Sequence, residues 1–306
     1  MSNIYLSICI PTNGRLEILK KTLDSIFINC EVSFSDFEVV ISDNSTDNML
    51  EELLTSYKEF PNIVYNKTTS EGFLNSVNAL NMGKGLFLKL HNNYTIFKKG
   101  GLKQIISFIK NEKINKPVTF FTNGVLKNSN SKNFETFDSF TSELSYWNTW
   151  STGFSIWKED LEKYSQKDLN KMFPHTSLLL RQNDKKNFII NNESIFINQE
   201  VSQKGGYNLF KTFGVDYLSM MDELQKKAII SPTTFNKIKN DLFNNFFVEW
   251  YFNTKIKNNN YTYDLTDIKG SIKEYYSIKE YYYLIFLSYF LSFKMLLYRV
   301  INFLRK

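Results

Sequence analysis

The chain has 306 residues, 42% hydrophobic and 22% charged, with a net charge of +6. That is enough apolar material for one large domain, or a domain with an appendage, and it argues against a disordered chain. Residues 231–306 carry 11 Lys/Arg against 6 Asp/Glu, so nearly all the positive excess is C-terminal; this argues against a nucleic-acid-binding core and for an anionic partner at that end.

The two cysteines, Cys9 and Cys30, give neither a disulfide framework nor a metal-ligand spacing. The opening MSNIYLSICIP has no basic region ahead of its apolar run. A reducing, cytoplasmic setting without a signal peptide is therefore the expectation.

In chain order, Leu6–Ile10 reads as a strand closed by Pro11, and Asn13-Gly14 as a turn. Apolar residues at Leu16, Leu19, Leu23, Ile26 and Phe27 mark one face of a helix. FEVVIS, from Phe37 to Ser42, is a second, wholly apolar strand, and Asp43-Asn44-Ser45-Thr46-Asp47 after it is rich in helix-capping residues. Met49, Leu50, Leu53, Leu54 and Tyr57 predict a second helix, and Ile63–Tyr65 a third strand. Phe73–Met82 is helical in pattern and stops at Gly83-Lys84-Gly85. Leu86–Leu90 is a fourth strand, Leu102–Lys110 a helix, and Val118–Phe121 a strand completing the alternation.

Such alternation predicts a mostly parallel α/β sheet covered on both faces. Beyond residue 122 the rhythm breaks. Lys127–Phe140 reads as a loop or hairpin, Trp147, Trp150 and Trp157 gather around Ser151-Thr152-Gly153, and Ser231-Pro232 opens a helix.

SICIPTNGR, FEVVISDNSTDN and EGFLNSVNALNMGKGLFLKLHNN, in this order and spacing, resemble the GT-A domain of family-2 glycosyltransferases, in particular the bacterial group that builds capsule, O-antigen (lipopolysaccharide) or teichoic-acid glycans. The similarity covers residues 3–125 well and 145–180 loosely. It implies a GT-A, Rossmann-like domain over 1–228, with a donor half to about 125 and an acceptor half from 126, followed by a helical region over 229–306. The implied activity is transfer of one sugar, with inversion, from a UDP-, CDP- or GDP-sugar to a surface-glycan or lipid-linked acceptor. The alternative is a catalytically degenerate GT-A module acting as a nucleotide-sugar-binding scaffold.

The resemblance places Pro11, Thr12, Asn13 and Arg15 against the nucleotide and Asp43 on the nucleobase or ribose. A carboxylate at a strand's carboxyl end can accept hydrogen bonds from either; the competing role for Asp43 and Asp47 is capping the next helix. Asn44, Gly72 and Asn75 fall on the same donor side. Where the family carries an Asp-x-Asp element holding a divalent metal, this chain has His91-Asn92-Asn93. Hard Mg²⁺ or Mn²⁺ wants anionic oxygen that two amides do not supply. Three alternatives stand: metal-independent transfer with His91, the amides and nearby donors on the diphosphate; weak metal binding through other groups; or a degenerate site.

For the general base, Glu159-Asp160 reads as first-turn helix acids. His175, at the start of an apolar helical run, is either the base or a polar cap.

The tail from Ile285 to Lys306, IFLSYFLSFKMLLYRVINFLRK, separates on a helical projection into a polar arc and an apolar arc. Ser288, Ser292, Lys294, Arg299, Asn302, Arg305 and Lys306 lie on the first, and Phe286, Tyr289, Phe290, Phe293, Leu296, Leu297, Val300 and Leu304 on the second. This pattern predicts a helix lying on an anionic membrane surface, placing the protein peripherally on the inner face of the cytoplasmic membrane. Packing on the domain or in a homodimer is the alternative.

Overall fold

The computed structural model describes residues 4–28, 30–127, 131–201, 204–257 and 259–304, the side chains from residue 295 onward excepted. Two compact units divide at Glu200/Val201, not at the expected 228. The difference has a local cause: the helix containing Leu218–Lys226 packs with the helix at Pro232–Asp241, so both belong to the C-terminal unit.

In the first unit, β1 (Leu6–Thr12), β2 (Phe37–Asp43), β3 (Ile63–Lys67) and β4 (Phe87–Leu90) run parallel in the order β3-β2-β1-β4. Between them lie α1 (Leu16–Phe27), α2 (Met49–Leu54) and α3 (Asn75–Met82). After β4 come β5 (Thr95–Phe97), α4 (Gly101–Glu112) and β6 (Val118–Phe121). Strands β1, β2 and β4 are almost wholly buried, as continuous apolar runs in a two-sided parallel sheet should be. α1 shows why the periodicity was decisive: Leu19, Leu23, Ile26 and Phe27 enter the core with Leu6, Ile8, Phe37 and Val39.

The expectation for Val118–Phe121 needs correction. After β6 the chain forms β7 (Ser131–Phe134), α5 (Phe137–Leu144), β8 (Ser155–Trp157), α6 (Lys158–Lys163), α7 (Pro174–Leu180), β9 (Phe188–Asn191) and β10 (Phe196–Asn198). It is β8, antiparallel to β4, that closes the main sheet; β6 joins a separate sheet of order β6-β9-β7. Trp157 fixes this edge by donating its indole N–H to the Pro117 carbonyl at 2.9 Å and packing edge-on to Phe87. The predicted loop over Lys127–Phe140 contains β7 and the start of α5; its residues 128–130 lie outside the described residues.

The second unit contains β11 (Gly205–Asn208), α8 (Leu209–Lys211), α9 (Leu218–Lys226), α10 (Pro232–Asp241), α11 (Val248–Tyr251), β12 (Thr262–Asp264), α12 (Ile268–Lys273) and α13 (Ile278–Leu304). Three stretches of π-helix, Thr212–Tyr217, Leu242–Phe247 and Phe252–Ile256, continue these helices. Ser231 caps α10 through the Thr234 N–H, with Pro232 in the first turn, as the sequence predicts.

Candidate functional site

In an open parallel sheet, ligands bind outside the carboxyl ends of the strands. Here those ends are Thr12, Asp43, Lys67 and Leu90, and the loops after them carry almost every residue singled out in the sequence.

After β1, Gly14 (φ 107°) and Arg15 (φ 61°) turn the chain through the left-handed region into α1. The Thr12 hydroxyl donates to the Gly14 carbonyl at 2.9 Å and holds the turn. Asn13 and Arg15 are exposed. Arg15 forms no ion pair among the described residues, and its charge acts on the nearby Tyr94 hydroxyl.

After β2, the Asp43 carboxylate is fully buried and heavily engaged. Oδ1 accepts from the Ser45 N–H at 2.9 Å. Oδ2 accepts from the Ser45 hydroxyl (3.0 Å), the Tyr65 hydroxyl (3.1 Å) and the Lys67 ammonium (3.2 Å). Burial, then the Asp43 charge, raises the Tyr65 pKa and keeps that hydroxyl a donor. Asp43 therefore presents no free oxygen to the cleft; it fixes the groups that do. Asp47 accepts from the Met49 N–H at 3.1 Å, which is the capping role. Asn44 ties its amide to the Ser70 carbonyl at 3.0 Å. Beside these residues opens a cleft of about 600 Å³ lined by Asn44, Ser45, Thr46, Lys67, Thr68 and Thr69. A hollow of about 610 Å³ between the end of α1 and the start of α4 includes none of the predicted site residues.

Gly72 is exposed at φ 51°, a turn conformation that favours glycine. Asn75 is buried and stitches strand ends together. Its amide N–H₂ donates to the carbonyls of Ser42 (2.8 Å) and Thr12 (3.3 Å), and its oxygen accepts from the Ser42 hydroxyl at 2.6 Å.

After β4, His91 and Asn93 are buried and Asn92 is half-buried. The His91 ring is fully buried, stacked on Phe97 at 4.7 Å and edge-on to Phe196, with Nε2 2.7 Å from the Thr95 carbonyl. Burial, then the Lys89 charge, pushes its pKa down to about 3. His91 is therefore neutral near pH 7, and its Nε2 is engaged with the Thr95 carbonyl inside the core. Asn92 donates to the Tyr94 hydroxyl at 2.8 Å, accepts from the Ser151 hydroxyl at 2.6 Å and gives its backbone N–H to Thr152 at 3.1 Å. Asn93 donates to Thr12 Oγ1 at 2.9 Å, and its carbonyl accepts from Thr22 at 2.8 Å. The amides and hydroxyls lash β1, α1 and the Ser151–Gly153 turn to the end of β4.

Among the described residues the groups beside this cleft are already engaged. The carboxylate at the cleft is held by Lys67 and three hydrogen bonds, and the amide oxygen of Asn92 is occupied. No group of three His, Cys, Asp or Glu suited to a metal exists among the described residues.

Glu159 pairs with Lys116, and the buried Asp160 with Lys185 at 2.8 Å, both in the structural role expected. His175 is buried, with Nε2 2.9 Å from the Thr149 carbonyl, and burial lowers its pKa to about 4. The contact is a structural tie to the Thr149 carbonyl and not a cap, since α7 has no side-chain cap hydrogen bond.

Two lysines escaped sequence reasoning. Lys67 is the register partner of Asp43 across the parallel β2–β3 pair, a signal available once both strand ends are aligned. Lys89, inside the apolar run of β4, is buried between Phe121 (4.9 Å) and Phe196 (4.7 Å) and donates to the carbonyls of Thr152 and Leu90. Burial lowers its pKa to about 7.

Comparison with protein-family models and with curated proteins finds no match. Solved structures do match. Residues 1–349 of S. aureus TarS align with a TM-score of 0.59 at 14% identity, covering 82% of this chain and 75% of that one. The same protein in complex with UDP-GlcNAc gives 0.60 at 15% (82% and 76%), and with UDP 0.59 at 15% (83% and 76%). At such identities the likeness shows the fold, and it is the α/β architecture expected from the sequence.

Proposed function

We propose that the protein is a glycosyltransferase that moves a sugar from a UDP-linked donor to a hydroxyl of a bacterial surface glycan or its lipid-linked precursor. The observation that carries this is the cleft at the carboxyl edge of the sheet, organised by Asp43 and bordered by Lys67, on a fold shared with a protein solved with UDP and UDP-GlcNAc. In the reaction, the bond from the anomeric carbon to the β-phosphate oxygen breaks and one to the acceptor oxygen forms, with inversion as the family resemblance implies. UDP departs and the acceptor's proton is released.

Charge accumulates on the departing diphosphate, and fixed cations placed there lower the barrier. Arg15, exposed, without an ion pair among the described residues and at the head of α1, supplies that charge, assisted by Lys67 at the cleft. The nucleoside is recognised by the Asn44–Thr46 and Thr68–Thr69 walls, with Asp43 acting through Ser45 and Lys67.

A second proposal, a nucleotide-sugar-binding module without turnover, draws on His91-Asn92-Asn93, whose side chains are spent on contacts within the fold. One experiment separates them. UDP and UDP-sugars should raise the melting temperature in excess EDTA, because a ligand bound only by the native state stabilises it. UDP release from a UDP-sugar should proceed in EDTA with little response to Mn²⁺. Stabilisation without UDP release supports the module. No stabilisation by any nucleotide refutes both, and activity abolished by EDTA and restored by Mn²⁺ refutes the metal-free site.

A further inference from the structure

Helix α13 settles on its own unit by an unexpected side. Its inward line is Leu284 and Ser288, both fully buried, and the Ser288 hydroxyl donates to the Val248 carbonyl at 3.1 Å. Ser288 belongs to the arc predicted to face water. Projected at 100° per residue, the outward arc instead carries Tyr282, Tyr283, Phe286, Tyr289, Phe290 and Phe293, each 51–62% exposed, and the exposed Lys294. The rings form a ladder: Phe243 stacks on Tyr283, Tyr283 on Phe286 and Phe286 on Phe290, at 6.3–6.5 Å between centroids. A contiguous exposed aromatic face of this kind marks an interaction surface.

We infer that the outer face of α13 docks on an anionic lipid surface, with the helix lying in the plane of the interface. Charge identifies the occupant. Glu274 and Glu280 lie at or before the first turn of α13; after Glu280 the chain has no acid, and Lys294, Arg299, Arg305 and Lys306 are all basic. Arg299 lies outside the described side chains, and Arg305 and Lys306 outside the described residues. A second copy of this helix pairing face to face offers those cations no carboxylate beyond the first turn, whereas lipid phosphates offer many. Three of the six outward rings are tyrosines, whose apolar body and polar tip suit the headgroup boundary. Among the described residues no helix is long and apolar enough to cross a membrane, so the contact lies on the surface.

The test is co-sedimentation of the full chain with vesicles of phosphatidylcholine alone and with phosphatidylglycerol added. A readout of binding is independent of any transferase activity. Anionic vesicles should bind the protein at least tenfold more tightly than neutral ones. The triple variant Phe286→Ser, Phe290→Ser, Phe293→Ser should lose that binding while keeping its melting temperature, since these rings are exposed. Lys294→Gln should weaken it less, and only on anionic vesicles. Equal binding of wild type and triple variant, or no preference for anionic lipid, overturns the inference. A wild-type dimer that the triple variant converts to monomer, with vesicle binding unchanged, assigns the face to a second copy instead.

Discussion

The two arms of the cleft end of the sheet use polar residues in opposite ways. Around Asp43 a buried charge is met by a cation that is itself part-exposed at the cleft, with Lys67 at 31% and Asp43 at 0%. Around His91 the uncharged imidazole is buried, stacked on Phe97 and edge-on to Phe196, with Nε2 on the Thr95 carbonyl and Nδ1 without a hydrogen-bond partner among the described residues. On the first arm the part-exposed Lys67 borders the cleft; on the second the contacts hold three loops in place. The His91-Asn92-Asn93 trio is thus a structural knot at the end of β4.

Removing one residue from each arm separates their roles. His91→Ala empties a buried aromatic site and should cost about 3–5 kcal/mol of stability, the range for truncating a buried ring. It should leave the nucleotide affinity of the remaining folded protein little changed. Asp43→Ala should cost about 1.5–3 kcal/mol, the scale of a hydrogen bond to a charge, because the released Lys67 can turn to water. Nucleotide affinity should fall about tenfold or more, since 1.4 kcal/mol is a factor of ten. Denaturant unfolding and calorimetry read the two effects separately. If Asp43→Ala spares affinity while His91→Ala destroys it in a folded protein, the assignment of the arms is reversed.

The sequence showed the elements of this site better than their orientation. Period and punctuation placed β1, β2, β4 and the helices between them, because buried parallel strands leave unbroken apolar runs such as FEVVIS. They did not say that Val118–Phe121 leaves the main sheet, since strand partnership depends on residues far along the chain, here Ser155–Trp157 and Phe188–Asn191. Asp43 was legible as a strand-end acid, but its saturation by Tyr65 and Lys67 depends on the register of β3. Whether His91 points outward was not legible either: a polar residue after a strand looks the same facing water or a pair of phenylalanines. In α13 the segregated arcs were visible, yet which arc met the protein was decided by the Val248 carbonyl that takes the Ser288 hydroxyl.

Acid titration sharpens the contrast further. His91 and His175 are the only two histidines, and burial lowers them from 6.5 to about 3 and about 4. Between those values and 6.5 the unfolded chain binds more protons than the folded one, so stability rises with pH across that window and is lost on acidification below 6.5. His91→Phe, which keeps a ring between Phe97 and Phe196, should flatten part of the slope between pH 6.5 and 4. Urea unfolding at pH 7.0, 6.0, 5.0 and 4.5 measures it. An unchanged slope in the variant means that His91 titrates as an exposed imidazole and the inward knot is wrong.

The smallest expected effect concerns His175, where the sequence left two roles open. A general base must present a free ring nitrogen near the acceptor and titrate near the working pH. His175 holds Nε2 against the Thr149 carbonyl, packs edge-on to Phe154 and stays neutral to about pH 4. Thr176 beside it donates to the Asn148 carbonyl at 3.1 Å, so the first turn of α7 clamps the chain at 148–149. That clamp adjoins the Ser151–Gly153 turn bound by Asn92 and Lys89, which gives His175 a positioning task in the knot. His175→Asn, which can still donate a hydrogen bond, should therefore keep turnover within about tenfold of wild type, short of the roughly 10²–10⁴-fold loss that removal of a general base brings. His175→Ala should lower the melting temperature more than the Asn variant does. A loss of turnover in the hundreds for His175→Asn, with donor affinity and melting temperature intact, would make His175 the base and move the chemistry to α7.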